Sequence, residues 1–298
     1  MPDGILLLDK PLGLSSNQAL QRVRRLLGGA KAGHTGSLDP LASGMLPICI
    51  GEATKLAGEL LAGTKCYRFG IALGERTESG DAEGQVIERL PVPLLERASI
   101  AKVLAELCGT QWQVPPMYSA LKRAGQPLYR LARQGLSVER AARQVEIFEL
   151  ELLSAPPDPL LIRVRCSKGT YVRTLAEQIA GKLGTCGYVN LLRRESVQPF
   201  EREPMQTLDE LERGGALVLL SADRAVPHLP ALHLTALDTL ALQRGQQAVS
   251  AAGLAPGRVR LYDPAGRFFG LGEVLEGGRV RVRRLFNLSP PSSGSGVA

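Results

Sequence analysis

Between residues 32 and 48 the chain reads AGHTGSLDPLASGMLPI, which sets His34, Ser37 and Asp39 among three glycines just before an apolar run. Taken alone, Asp39-Pro40 is an ordinary turn starter, and a single histidine is more often a structural hydrogen bonder than a catalyst. Together they suggest more. A carboxylate is one of the few side chains able to attack carbon at a sugar or a polarised ring. A glycine-rich support lets a ligand come close to the backbone. Such a nucleophile must stay ionised in a partly dry pocket, and a neighbouring cation would pull its pKa down by about 1 to 3 units. SKGTYVRTLAEQ, residues 167 to 178, offers Arg173 beside Tyr171 at a strand-to-helix junction. A guanidinium fixed there can grip a carboxylate at two points. It serves equally as a salt bridge tying helix to loop.

These groups need elements to hold them. GILLLDK (4 to 10) predicts a buried strand, and SSNQALQRVRRLLGG (15 to 29) a helix with Ser15 and Gln18 as a capping box and Gly28 at its close. Further helices are expected near 52 to 62, 96 to 107 and 173 to 184. Strands are expected at 65 to 73, 85 to 90, 143 to 154 and 161 to 167, the last two joined as a hairpin through APPDP. Strands and helices mix without strict alternation, so the fold class is α+β. Near 222 to 232 the texture changes to short runs punctuated by Gly and Pro, the pattern of a small β-rich domain. The tail SPPSSGSGVA has no apolar payload and reads as disordered.

Composition bounds the partners. The 298 residues carry a formal charge of +7 and are 44% hydrophobic. Residues 111 to 144 hold Lys122, Arg123, Arg130, Arg133, Arg140 and Arg143 against Glu139 alone, and residues 231 to 298 hold eight arginines against four acids. Two separated basic patches suit a long anionic ligand, above all nucleic acid. The five scattered cysteines include no CxxC pair and point to a reducing compartment. With no leader and no apolar run near 18 residues, a cytoplasmic protein with no membrane partner is expected.

GHTGSLDPLASGMLPI, preceded by LLLDKPLGLSSNQAL and followed by GEATK, resembles the TruB-type tRNA pseudouridine-55 synthases. So do KCYRFGIALGERTESGDAEGQV, VPPMYSALKRAGQPLYRLARQG, CSKGTYVRTLAEQIAGKLG and NLLRRESV. The resemblance runs in order over residues 4 to 225. More weakly, the C-terminal part resembles the PUA RNA-binding domain. The resemblance implies a catalytic domain at 1 to 225, with a central mixed, mainly antiparallel sheet flanked by helices and a basic RNA-clamping segment at 111 to 144. It also implies a PUA-like domain at 231 to 287, leaving 288 to 298 as the disordered tail. Asp39 is then the essential aspartate, and Tyr67 the tyrosine that stacks on the target uracil and takes part in proton transfer at C5. Arg173 is the partner of the catalytic carboxylate, His34 lies beside the flipped nucleotide, and Tyr171 and Leu192 line the uridine pocket. Asp81 is an acid near the site, although its SGDAEG flank departs from the family's TSDADG. Lys122, Arg123, Arg130 and Arg133 are the expected contacts to the RNA backbone.

The implied reaction breaks the bond between uracil N1 and the sugar, turns the base, and rejoins through C5. It changes no redox state and imports no group, so neither cofactor nor metal is expected. The base must leave its stack, and RNA is read base by base in single-stranded loops, which fits the T-loop of tRNA. The expected partner is the T-arm of tRNA, met by a monomer without guide RNA. The alternatives are a guide-RNA-dependent, dyskerin-like synthase and a non-catalytic tRNA-binding or tRNA-folding protein. A nucleoside hydrolase would need a second carboxylate to activate water.

Overall fold

The computed structural model describes residues 3–123, 125–249 and 253–287; the expected disordered tail lies outside them. A nine-stranded sheet forms the larger part. Eight of its strands run in the order Gln206–Thr207, Gly4–Lys10, Ala42–Ile50, Gly187–Val197, Lys65–Leu73, Leu160–Cys166, Arg143–Ser154 and Gly109–Gln113, and Ala32–His34 joins the edge of Ala42–Ile50. Two of the pairings, Gly4–Lys10 with Gln206–Thr207 and Ala42–Ile50 with Gly187–Val197, are parallel and the rest antiparallel. The fold is therefore α+β with a mixed, mainly antiparallel sheet.

Alternation in the central strands divides the core. Leu6, Leu8, Leu46, Ile48, Phe69, Ile162 and Val164 face one side, where Ala19, Leu20 and Val23 of helix Ser16–Leu26 and Leu175, Ala176 and Ile179 of helix Val172–Lys182 cover them. Both halves of the expected capping box are made: Ser15 accepts from the Gln18 N–H and Gln18 from the Ser15 N–H. On the other side Ile5, Leu7, Met45 and Cys49 pack with Leu56 and Leu60. The expected single helix near 52 to 62 is two pieces, a 3-10 turn at Gly51–Leu56 and a short α-helix at Ala57–Ala62.

One row of paired residues crosses the sheet beneath the Asp39 loop. Lys10 pairs with Gly44, Gly44 with Arg194, Arg194 with Tyr67, and Tyr67 with Val164. Directly opposed residues share a face, so this register gathers Lys10, Arg194 and Tyr67 in one place. Gly44 makes the approach possible. Its φ is +101°, and a Cβ there would lie 2.2 Å from the Arg194 carbonyl oxygen.

The C-terminal part holds a four-stranded sheet, ordered Ala231–His233, Gly257–Tyr262, Phe268–Val274 and Val280–Leu285, with helix Ala236–Gln243 beside it. This sheet is docked rather than tethered. Leu271 and Phe286 join the cluster built on Ile5, Leu7 and Met45. Arg258 pairs with Glu59 at 2.5 Å, and the Lys55 ammonium donates to the Leu285 carbonyl at 2.7 Å.

Candidate active site

Asp39 is carried on a turn pinned from two sides. The buried Ser16 hydroxyl accepts from the Leu38 N–H at 2.7 Å and donates to the Leu38 carbonyl at 3.1 Å. The Gly13 N–H donates to the Pro40 carbonyl, and the Thr35 N–H to the Pro47 carbonyl. Gly36 completes the turn with φ +87°. The Asp39 side chain remains 39% exposed, whereas Arg173 behind it is 6% exposed.

Arg173 stands in the first turn of helix Val172–Lys182, after Tyr171, whose N–H is held by Gln113. Its guanidinium is divided between two carboxylates. Nη2 lies 3.0 Å from Asp39 Oδ2 and donates to the Tyr118 carbonyl at 2.5 Å. Nη1 lies 3.3 Å from Asp81 Oδ2 and donates to the Ser79 carbonyl at 2.8 Å. The fork expected to close on one carboxylate is thus shared by two. Asp81 is itself fixed: the Ser79 hydroxyl and the Glu83 N–H both donate to its Oδ1, at 2.6 and 3.1 Å.

Sharing the cation has an electrostatic consequence. Burial raises the Asp39 carboxyl above the ordinary aspartate value; Arg173 opposes the rise, Asp81 adds to it, and Lys10 opposes it. The sequence leads one to expect the reverse, a carboxyl pulled down by its arginine. The reason for the difference is that desolvation disfavours the charged form, and one guanidinium is already spent partly on Asp81.

Two cavities meet at Asp39. One of about 400 Å³ is lined by Asp39, Tyr67, Tyr171, Arg173 and Leu192, together with the backbone turn 167 to 170. The other, of about 700 Å³, shares Asp39 and Arg173 and is lined also by His34, Asp81, Tyr118, Tyr129 and Arg133. Tyr67, Tyr171, Arg173, Leu192, His34 and Asp81 therefore all gather around Asp39, although they come from separate stretches of chain. Burial raises the hydroxyl pKa of Tyr67, partly opposed by Arg194, whose guanidinium lies against it. Burial lowers the imidazole pKa of His34, reinforced by Arg194, and its Nδ1 is buried without a partner. The imidazole is neutral near pH 7.

The middle of the segment 111 to 144 contributes to the walls of both cavities. Ser119, Ala120 and Leu121 line the smaller one. Beyond them Lys122 and Arg123 form an exposed two-residue hairpin with Gln126–Pro127, and helix Leu128–Ala132 follows. Arg130 and Arg133 are both exposed; the Arg133 guanidinium lies 5.8 Å over the Tyr129 ring and reaches the wall of the larger cavity. Lys122, Arg123 and Arg130 do not reach the Asp39 cavities; they occupy the rim.

Residue-by-residue reading of the sequence does not identify three buried polar groups at this site. Ser16 pins the Asp39 turn. Lys10 is fully buried, donates to the Pro11 and Leu14 carbonyls, and is lowered by burial to a pKa of about 8, partly countered by Asp39. Arg194 is 1% exposed and donates to the Met45 and Gly36 carbonyls at 2.7 and 3.2 Å. The available signal is indirect: a lysine ending an apolar strand and an arginine pair in NLLRRESV, charges where a sheet core expects none. Among the described residues no group of three or more His, Cys, Asp or Glu is placed to hold a metal ion, and no helix is long and apolar enough to cross a membrane.

Comparison with known proteins agrees along the whole chain. Residues 24–172 match the family described as TruB family pseudouridylate synthase (N terminal domain), and residues 230–286 match Pseudouridine synthase II TruB, C-terminal. The tRNA pseudouridine synthase B of Chromohalobacter salexigens is 50% identical over 297 residues, covering 98% of this chain and 96% of the relative. That of Stutzerimonas stutzeri is 48% identical over 290 residues, covering 95% of each. Among solved structures, a chain of a Cbf5–Nop10–Gar1 complex aligns with TM-score 0.70 and 25% identity, covering 95% of this chain and 84% of that one. A chain of an H/ACA RNP bound to a substrate RNA containing 2'-deoxyuridine shares the fold, with TM-score 0.69 and 24% identity over 97% of this chain and 86% of that one.

Proposed function

The chain belongs to the TruB family of pseudouridylate synthases, and from that premise we propose that it converts uridine 55 in the T-loop of tRNA to pseudouridine. It is a tRNA pseudouridine synthase, an isomerase. The observation that carries the site assignment is the placing of Asp39, backed by Arg173 and Asp81, where two cavities meet beside Tyr67 and Leu192.

The flipped uridine occupies the 400 Å³ cavity, its base packed on the Tyr67 ring and Leu192. Asp39 attacks, either at the sugar C1′ or at ring carbon C6, and the bond from C1′ to N1 breaks. The base turns within the pocket, C5 bonds to C1′, the bond between substrate and Asp39 breaks so that the carboxylate is regenerated, and the proton leaves C5 while N1 gains one. Atoms balance without any imported group. Arg173 opposes the rise that burial imposes on the Asp39 carboxyl, and Asp81 acts on Arg173 rather than on the substrate, being 2% exposed and fully engaged. Burial keeps the Tyr67 hydroxyl protonated, so this group serves as a surface for the ring and a relay for a proton rather than as a strong base. A neutral His34 suits filling the space left by the flipped nucleotide better than gripping a phosphate.

Lys122, Arg123, Arg130 and Arg133 hold the backbone of the T-arm, and residues 231 to 287 add contacts that position the substrate without naming a base. The enzyme works as a cytoplasmic monomer. Guide RNA has no part in this reading: the close relatives are named for tRNA, and the likeness to Cbf5-containing assemblies is more distant. The deciding experiment is incubation of an unmodified tRNA transcript with this chain alone, followed by mapping of pseudouridine at single-nucleotide resolution. Conversion confined to position 55 without guide RNA supports the proposal. Conversion only after addition of a guide RNA favours the dyskerin-like reading, and tight binding with no conversion favours a folding protein.

A further inference from the structure

Arg194 is the largest fully buried side chain among the described residues, 1% exposed, and none of their carboxylates forms a salt bridge with it. Its neighbour Arg193, by contrast, is paired with Asp9 at 2.7 Å. A buried ion without a counter-ion is costly, and an arginine does not escape by losing its proton. The charge is met by carbonyl dipoles instead. Nε donates to the Met45 carbonyl at 2.7 Å and Nη2 to the Gly36 carbonyl at 3.2 Å. Those two carbonyls lie on either side of Asp39 along the chain, three residues before it and six after. The same guanidinium lies against the Tyr67 hydroxyl, across the register pairing of Arg194 with Tyr67. Gly44 lets the two strands come together here, since a Cβ on it would collide with the backbone of residue 194.

From this geometry we infer that Arg194 is a positioning residue for the isomerisation, joining the Asp39 turn and the Tyr67 strand into one rigid unit. The inference rests on the proposed function and deepens it. The nucleophile and the ring that supports the base reach the pocket from different elements, a turn after Ala32–His34 and the strand Lys65–Leu73. Their separation must hold while the base is detached and turned. One side chain bonded to the turn on both sides of Asp39 and seated at the Tyr67 hydroxyl fixes that separation.

Arg194→Met separates this role from a purely structural one. Arg194→Met leaves the Met45 and Gly36 carbonyls without their donor, a loss that destabilises, so the variant should melt below the parent and its chemistry is compared on the folded fraction. Its single-turnover rate at saturating tRNA should fall at least about 100-fold, with Kd for tRNA within about threefold, because the loss lies in alignment within the bound state. The Tyr67 titration, isolated by subtracting the Tyr67→Phe difference spectrum at alkaline pH, should move upward when Arg194 goes. Arg194→Lys, which keeps charge but loses the fork, should recover little of the rate. A single-turnover rate within about threefold of the parent's for the folded fraction of Arg194→Met would overturn the inference, whatever happened to its melting temperature. The parent enzyme in the same assay keeps the two claims apart: if it makes no pseudouridine, the proposed function fails rather than the role of Arg194.

Discussion

At the residue scale the chemistry depends on how one guanidinium is divided. Arg173 serves Asp39 and Asp81 at once, so it only partly opposes the rise that burial imposes on the Asp39 carboxyl. A raised pKa marks a more basic carboxylate. The sign follows directly. Catalysis needs the deprotonated form, so the rate is lost as pH falls through the folded-state pKa. The acid limb of the single-turnover rate, measured from about pH 4 to 8 at saturating tRNA, should lie above the usual aspartate value of about 3.9. A limb at or below that value would show that Arg173 wins over burial. Arg173→Lys should slow the same rate by roughly 100-fold or more, because an ammonium cannot reach two carboxylates and two carbonyls in one plane; near-parental turnover would remove Arg173 from the mechanism. The sequence makes Asp39 and Arg173 legible as a pair. It does not reveal the sharing with Asp81, because that depends on a turn at 79 to 83 folding behind the helix.

At the element scale, local signals are legible and long-range ones are not. The capping box at Ser15 and Gln18, the strand 65 to 73 and the hairpin 143 to 166 follow from residue type and period. The central strand Gly187–Val197 does not. Its NLLRRES run lacks an apolar alternation, since Arg194 faces the core and is satisfied by carbonyls about 150 residues earlier in the chain. The strand Ala42–Ile50 is likewise masked by the glycines that let its neighbours come near. The rim above the cavities carries its own test. Arg130 and Arg133 project from a short helix and its C-terminal cap, where both can meet phosphate. Neutralising both should weaken tRNA binding and flatten its salt dependence, by up to about 0.7 to 0.9 in log–log slope for each phosphate no longer neutralised. Turnover at saturating tRNA should change far less. An unchanged slope would mark them as an ordinary solvated helix face.

At the scale of the whole molecule, the cavity residues all fall between Ser15 and Arg194, while the C-terminal sheet contributes none. Sequence reasoning therefore suggests that a chain ending near residue 230 would fold and still modify tRNA. The docking changes half of that expectation. Leu271 and Phe286 bury themselves against Ile5, Leu7 and Met45, and fully burying side chains of this size contributes roughly 1.5 to 3 kcal/mol each. The truncated chain should melt at a lower temperature than the parent, yet keep its single-turnover chemistry at saturating tRNA below that temperature. An unchanged melting curve would mean that the sheet gives no cover, and lost chemistry in a cooperatively folded truncation would mean that it completes the site. The central claim is that the ionised Asp39 carboxylate performs the isomerisation. The most direct measurement is the single-turnover formation of pseudouridine at position 55 of a tRNA transcript by Asp39→Asn, with tRNA affinity measured alongside. The substitution keeps size and shape and removes the charge. The expected result is no detectable product, with affinity within about tenfold of the parent, or about 1.4 kcal/mol; product at a rate near the parent's would contradict it.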